Sequence, residues 1–467
     1  MRALAFPVLD GAGTSNNPYK ITTCFQLHNL LNDTPGSVII NQNYLIKNDL
    51  DCTSYTFNNT VQLIGSTIDG GNHKITNITL GEYGFIYIMD SSTIKNLWFA
   101  SGDNSTAPYF YGGSFANKMT NNSELNNVKS SLKLNCDGFC GGLVSIAQDS
   151  TITRAVFDGE INGGSYSGGL VGSDFGDNTQ NLTISKSAFL GKITTPSYAG
   201  GILGSYANNV TITNSYVNGN LDLGVYSGGL IGSFNHDITI VNTYTAGNSV
   251  TVIYTGGIIG GLSNNNVTVA HSFTLLNPMN SDSKVGNVEG PFNSGTVYSD
   301  VHYQDDSGSG RCRANNASSI TGCSPMTLGQ TDSTINALGW DFTNIWEKTI
   351  GLPPTLRNVP DFTDHTTTNN QNPISNNSST STTTTTSSSS LNKLLFSDQE
   401  NGLDETPTAD DTNEQTPTTD NENPQKDQSP ENNYNKSSKN RRIIIAAITT
   451  IIIITTVLTF STLRPKK

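Results

Sequence analysis

Five times between Phe139 and Gly261 the chain writes one short phrase around a pair of glycines: FCGGLVSI, YSGGLVGS, YAGGILGS, YSGGLIGS and YTGGIIGG. With a worn copy at Tyr111, the pairs begin at Gly112, Gly141, Gly168, Gly200, Gly228 and Gly256. Glycine loses more backbone freedom on folding than any other residue, so a regular series of pairs answers a steric demand. The spacing is about 28 residues, a period that marks a stack of similar structural units. A second phrase recurs between the pairs: STITRAVFDG, LTISKSAFLG, VTITNSYVNG, ITIVNTYTAG and VTVAHSFTLL. Phe157, Tyr216 and Tyr244 stand at one and the same offset from the pairs at Gly141, Gly200 and Gly228, which predicts equivalent places for the three rings.

The second phrase reads as strand. It is short, β-branched and aromatic, it alternates with a period of two, and Gly and Asn bound it. Nothing between Gly112 and Gly261 has the pattern of an amphipathic helix. Strands joined by tight turns and repeated once per glycine pair predict an all-β fold, a parallel β-helix in which each repeat forms one coil. Equivalent strands then pair in parallel about 4.8 Å apart. Ile212 stacks on Ile240, and Asn and Gly take corners of positive φ. Gly141, Gly142, Gly168, Gly169, Gly200, Gly201, Gly228, Gly229, Gly256 and Gly257 are the predicted corner glycines, where a Cβ would strike the coil above. The period is short for four-stranded propeller blades.

The phrase Y-x-G-G-[LI]-[VIL]-G-S resembles the GLUG repeat. The N-terminal strings GTSNNPYKITTCFQLHNL, NYLIKNDLDCTSY, VQLIGSTIDGGNHKITNITL and YGFIYIMDSSTIKNLWF, and the closing WDFTNIWEKTIGLPPTLRN from Trp340, are similar to the segments that flank such repeats. The likeness runs from about residue 10 to 358; GGSFANKM at Gly112 is eroded, and Asn277 to Met326 follows no visible repeat. The resemblance implies a pectin-lyase-like β-helix of the kind found on large secreted or surface proteins, bacterial immunoglobulin A peptidases and adhesin-like proteins among them. In those proteins the repeats are usually scaffold.

The expected layout is an N-terminal segment over 1–12, a β-helical ectodomain over 13–360 with its repeats at about 112–276, a disordered stalk over 361–440, a transmembrane helix over 443–463 and a basic tail over 464–467. Residues 1–12 make a poor signal peptide, so a truncated or atypical leader is expected. The stalk holds STTTTTSSSS and then eleven acidic residues against one Lys between Asp398 and Glu431, a composition that cannot bury enough apolar surface to fold. As a flexible coil it reaches on the order of 50 Å. Ile443–Leu463 is an unbroken run without charge, bracketed by Arg441, Arg442 and Arg464, and is long enough for a helix to cross a bilayer.

Six cysteines, Cys24, Cys52, Cys136, Cys140, Cys312 and Cys323, suit disulfides in an oxidising compartment, with pairing open among fifteen connectivities. Twelve Asn-x-Ser/Thr sequons occur; Asn58, Asn77, Asn104, Asn121, Asn181, Asn209, Asn266 and Asn316 are the glycosylation candidates of the ectodomain. A plasma-membrane protein with its N-terminal domain outside is expected. The net charge of −13 argues against nucleic acid as a partner.

No catalytic constellation stands out. Asp305-Asp306 and Asp410-Asp411 read as solvated turns, and Asp137, Asp149, Asp158, Asp174 and Asp177 form no repeated acidic ladder. Asp69 with His73 reads as a structural turn, and the six histidines have no metal spacing. The expectation is therefore a membrane-anchored surface glycoprotein, not an enzyme and without cofactor or metal, whose outer ladders of Asn, Thr and Tyr suit glycans or surface proteins. The alternatives are a coat or spacer protein without a ligand and, below that, a carbohydrate-active β-helix hydrolase or lyase.

Overall fold

A computed structural model describes residues 9–360, apart from 33–36, 59, 105–108, 174–177, 252, 263, 277–283 and 316–319. The expected stalk, the span Ile443–Leu463 and the basic tail lie outside the described residues, as does the start of the 1–12 segment. Among the described residues no helix is long and apolar enough to cross a membrane.

The chain winds as a parallel β-solenoid. One central column of inward side chains joins Tyr44, Ile68, Ile94 and Leu125 of the early coils to Ile152, Ile184, Ile212, Ile240 and Val269 of the later ones. The expected Ile212–Ile240 rung is present, and both residues are fully buried. Coiling is not confined to 112–276. It begins at the strand Tyr19–Ile21, and it runs on through Val297–Gln304 and Cys323–Met326, where the sequence shows no repeat. A short helix, Cys24–Asn32, buries Leu27 and Leu31 against the first coils.

The glycine pairs lie in register. Gly141, Gly168, Gly200, Gly228, Gly256 and Gly286 form a line of parallel bridges. A Cβ on Gly142, Gly169, Gly201 or Gly229 would sit 2.0–2.4 Å from the carbonyl oxygen of the matching glycine in the next coil. Close approach of backbones, as expected, excludes side chains along this edge. Positive φ is not the reason: none of the ten corner glycines has it. Left-handed geometry belongs to the tyrosine two residues before the pairs at Gly168, Gly200, Gly228 and Gly256, namely Tyr166, Tyr198, Tyr226 and Tyr254. In two of these coils the serine that ends the phrase caps the tyrosine carbonyl. Ser205 Oγ donates to Tyr198 O, and Ser233 Oγ to Tyr226 O, both at 2.5 Å.

The equivalence expected of Phe157, Tyr216 and Tyr244 fails by a single position. Val156, Ala188, Tyr216, Tyr244 and Phe273 share one column, and Phe157 pairs with Phe189 in the next. Gln148 occupies the level of Asn208 although it stands one position closer to its own glycine pair, Gly141, than Asn208 does to Gly200. The earlier coil is therefore shorter by one before its strand.

Buried polar columns complete the interior. Asn235, Asn264 and Asn293 each accept from a backbone N–H of the preceding coil and donate to turn carbonyls, at 2.7–3.4 Å. The aliphatic column of Val144, Val171, Leu203, Ile231 and Ile259 ends on Glu289, paired in turn with Arg313. Glu289 is fully buried; it accepts from Arg313 Nε and Thr296 Oγ1 at 2.6 Å and from the Tyr298 hydroxyl. A buried carboxylate needs such a full set of donors. Burial, with Glu289 beside it, pushes the Tyr298 hydroxyl far up.

The closing segment folds back over the outer column. Trp346 and Trp340 pack on Tyr216, Tyr244 and Phe273; the Tyr244 hydroxyl donates to Pro354 O at 2.7 Å, and Trp340 Nε1 to His271 O at 2.8 Å. The disulfides join nearest neighbours: Cys24–Cys52, Cys136–Cys140 and Cys312–Cys323.

Two outcomes test these contacts. Gly169→Ala places its methyl on Gly201 O and is expected to lower unfolding free energy by about 3 kcal/mol. Gly329→Ala, whose added methyl would meet nothing closer than 4.0 Å, should stay within about 0.5 kcal/mol in the same denaturant titration. Burial pushes the Tyr216 hydroxyl up to about 12. The neutral phenol is therefore favoured in the folded state, and its contribution is present below pH 10 and lost as pH rises towards 12. Tyr216→Phe should reduce the stability lost between those limits by about 2–3 kcal/mol, read from chemical unfolding at each pH.

Candidate functional site

The outer surface is built of columns, because each residue type recurs once per coil. At one corner Asn121, Asp149, Asn181, Asn209, Asp237 and Asn266 all take left-handed φ, between 48° and 55°. Asn and Asp tolerate this region best among residues with a side chain. Their side chains relay along the column: Asn181 Nδ2 donates to Asp149 and Asn209 Nδ2 to Asn181, both at 2.7 Å, and Asn266 Nδ2 to Asp237 at 3.0 Å. The sequons of Asn181, Asn209 and Asn266 are spelled by this geometry. A left-handed Asn is followed by an inward Leu or Val, an outward Thr and an inward Ile or Val.

The other glycosylation candidates lie elsewhere. Asn58 and Asn77 are exposed, and Asn77 Nδ2 donates to Asp51 and Thr53. Asn104 is buried, with its amide donating to Asn135 O at 2.8 Å and accepting from Asn135 N at 2.9 Å. Asn316 lies outside the described residues.

Acidic residues singled out in the sequence have local duties. Asp69 accepts from Gly71 N and Asn96 Nδ2; His73 faces Asp49 instead. Asp137 accepts from Phe110 N, and Asp158 from Ser131 and Lys129. Asp305 closes a turn with the backbone N–H groups of Ser307, Gly308 and Gly310. Asp174, Asp177 and Asp410-Asp411 lie outside the described residues.

One face carries a different device. Tyr166, Tyr198, Tyr226 and Tyr254 stack in successive coils with centroids 4.8–5.2 Å apart and planes within 15°. Phe292 continues the row, and Tyr206 with Phe234, 4.7 Å apart, forms a second row against it. All these residues have φ between 58° and 67°, a region that bulky side chains rarely enter. The rings cover one another's faces, and each tyrosine of the row stays part-exposed, so the row recurs on the surface at the spacing of the coils. Burial, then the neighbouring Tyr166 and Tyr226, raises the Tyr198 hydroxyl; burial, then Tyr166 and Tyr198, pushes Tyr206 up to about 12. A phenol hydroxyl can both donate and accept a hydrogen bond.

The sequence pointed to outer tyrosines as a class, but not to two rows side by side. Tyr206 and Phe234 fall in turns whose wording varies between coils. A polar cluster at the C-terminal end, Asp300, His302 and Ser324, was missed because its members come from two coils.

No family profile matches the sequence, and no curated protein does; the GLUG resemblance rests on the quoted phrases. Among solved structures, a protein named provisionally as an immunoglobulin A1 protease from Bacteroides ovatus is 14% identical over 74% of this chain and 94% of its own, with a TM-score of 0.40. An IgA1 protease is 17% identical over 75% of this chain, which spans about a quarter (26%) of that protein, with a TM-score of 0.41. A PL6 alginate lyase in complex with a trisaccharide is 14% identical over 68% of this chain and 83% of its own, with a TM-score of 0.29. The expectation of a non-enzyme is corrected here: all three of these structures bear the names of enzymes. Similarity at this level transfers no activity to the chain.

Glycopeptide mapping of the protein from a secretory host is expected to find Asn104 unmodified, because its side chain is buried with Nδ2 turned onto Asn135 O, leaving a sugar no access.

Proposed function

We propose that this chain is a cell-surface protein whose β-helix binds an extended, hydroxyl-rich polymer, a glycan, along the tyrosine row. In this reading residues 361–440 lift the helix from the surface, Ile443–Leu463 holds it in the plasma membrane, and exposed sequons carry glycans of their own. The observation that carries the reading is the series Tyr166, Tyr198, Tyr226 and Tyr254, four large, part-exposed residues stacked ring on ring in a backbone region that bulky side chains rarely enter. Strain that recurs in coil after coil is retained against a cost of order 1–3 kcal/mol per residue, as is common where a surface has a task. A row of hydroxyls repeated once per coil is complementary to a polymer with a repeating unit, each unit meeting one coil.

The test is binding of the full chain to immobilised polysaccharides of differing charge and linkage. Tyr198→Phe together with Tyr226→Phe keeps both rings in the stack and removes only the hydroxyls. Two lost hydrogen bonds at about 0.5–1.5 kcal/mol each predict a Kd about tenfold or more weaker, with thermal stability unchanged. Equal binding by the double variant, or no binding to any polysaccharide by the unaltered chain, would overturn the reading.

A further inference from the structure

We propose that Ser324, His302 and Asp300 form an acyl-transfer site that cleaves carboxylic esters. They lie where the outer column passes beyond its aromatic members. Phe273 pairs with His302, and His302 with Ser324, so the three stand one above another in successive coils. Asp300 precedes His302 on the same strand, in a left-handed corner with φ of 58°. The serine hydroxyl lies 3.1 Å from His302 Nδ1, and His302 Nε2 lies 3.0 Å from Asp300 Oδ1. His271, in the coil before, meets the second oxygen of Asp300 at 3.3 Å and so fixes the tilt of the carboxylate.

Hydrogen-bond bookkeeping assigns the protons. An ionised carboxylate can only accept, so His302 Nε2 must carry the hydrogen in that contact. In a neutral ring Nδ1 is then a bare acceptor, and the hydroxyl of Ser324 must donate to it. A serine that donates to an imidazole, itself oriented by a carboxylate, is the arrangement that activates an oxygen nucleophile. Ser324 is exposed and His302 is about one-fifth exposed, so an ester can reach the oxygen while the ring stays fixed.

The reaction follows from these places. Ser324 Oγ forms a bond to the acyl carbon as its proton passes to His302 Nδ1. The tetrahedral adduct collapses, the bond to the alkoxy group breaks, and that group leaves with the proton from His302. Water then attacks the acyl-serine, giving its proton to Nδ1. The acid is released, and Ser324 Oγ recovers its proton. No oxidant, reductant or metal enters the balance. No local motif encodes the site: His302 and Ser324 are 22 residues apart along the chain and meet through coil stacking.

The probe is a fluorophosphonate, applied to the full chain and followed by intact mass and peptide mapping, with p-nitrophenyl acetate turnover alongside. The expected result is one adduct, on Ser324, and ester turnover about a hundredfold above that of Ser324→Ala. Asp300→Asn can offer Nε2 a donor and so move the ring hydrogen to Nδ1; kcat should fall while KM holds. Thermal melts of Ser324→Ala and Asp300→Asn should match the unaltered chain, since both side chains reach solvent. An adduct elsewhere, no adduct, or turnover unchanged in Ser324→Ala would overturn the proposal.

Discussion

Everything in this protein depends on two backbones being allowed to touch. Along the glycine edge, each coil rests its main chain on the carbonyls of the next, with no room for a methyl group. That contact fixes the rise from coil to coil and holds successive strands in register. Once the register is fixed, any residue type that recurs becomes a column. The interior columns are aliphatic or aromatic, and the polar ones satisfy backbone donors that would otherwise be buried without partners. The solenoid therefore meets its two main costs, dehydrated amides and restricted glycines, with the same repeated geometry.

The ends need other solutions, because a column that stops leaves a side chain facing nothing. At the C-terminal side the aliphatic column changes into Glu289 and Arg313, whose charges oppose each other and whose remaining valences are filled by Thr296 and Tyr298. The outer column is treated differently. Trp340 and Trp346 fold back on Tyr216, Tyr244 and Phe273 and remove them from water. The Tyr166 to Tyr254 row has no such segment folded over it among the described residues and stays part-exposed, with Tyr206 and Phe234 beside it and Lys284 over the Tyr254 ring. The contrast between a covered aromatic stack and an open one gives the open row its interest.

Much of this was readable in the chain. The glycine pairs announced the coil, Ile212 and Ile240 met as expected, and alternation marked inward and outward residues. What could not be read had definite physical causes. A single missing residue before Gln148 moved Phe157 out of line with Tyr216, because a shift of one in a strand changes which column a side chain joins. From Lys284 on the coil persists after losing its wording: Gly286 still stands on the edge, but Glu289 has replaced the aliphatic residue that made the phrase recognisable. The left-handed tyrosines defied expectation altogether, since local preference alone would put Asn or Gly there. Of the candidate sites, the sequence indicated the outer polar ladders in general terms. It was silent on Ser324 and His302, whose proximity is a property of stacking and not of order along the chain.

The step from Gly168 to Gly200 is the longest in the series, and its length has a wider meaning. Val144 bridges Val171 and Gln148 pairs with Gln180, so the whole surplus falls between Val171 and Gln180, and the core on either side does not notice it. Such a scaffold can vary in two independent ways: by inserting residues at a corner, and by duplicating whole rungs between its unlike ends. Reach and surface chemistry are thereby uncoupled from stability, and a lineage could lengthen or redecorate the molecule without renegotiating its interior.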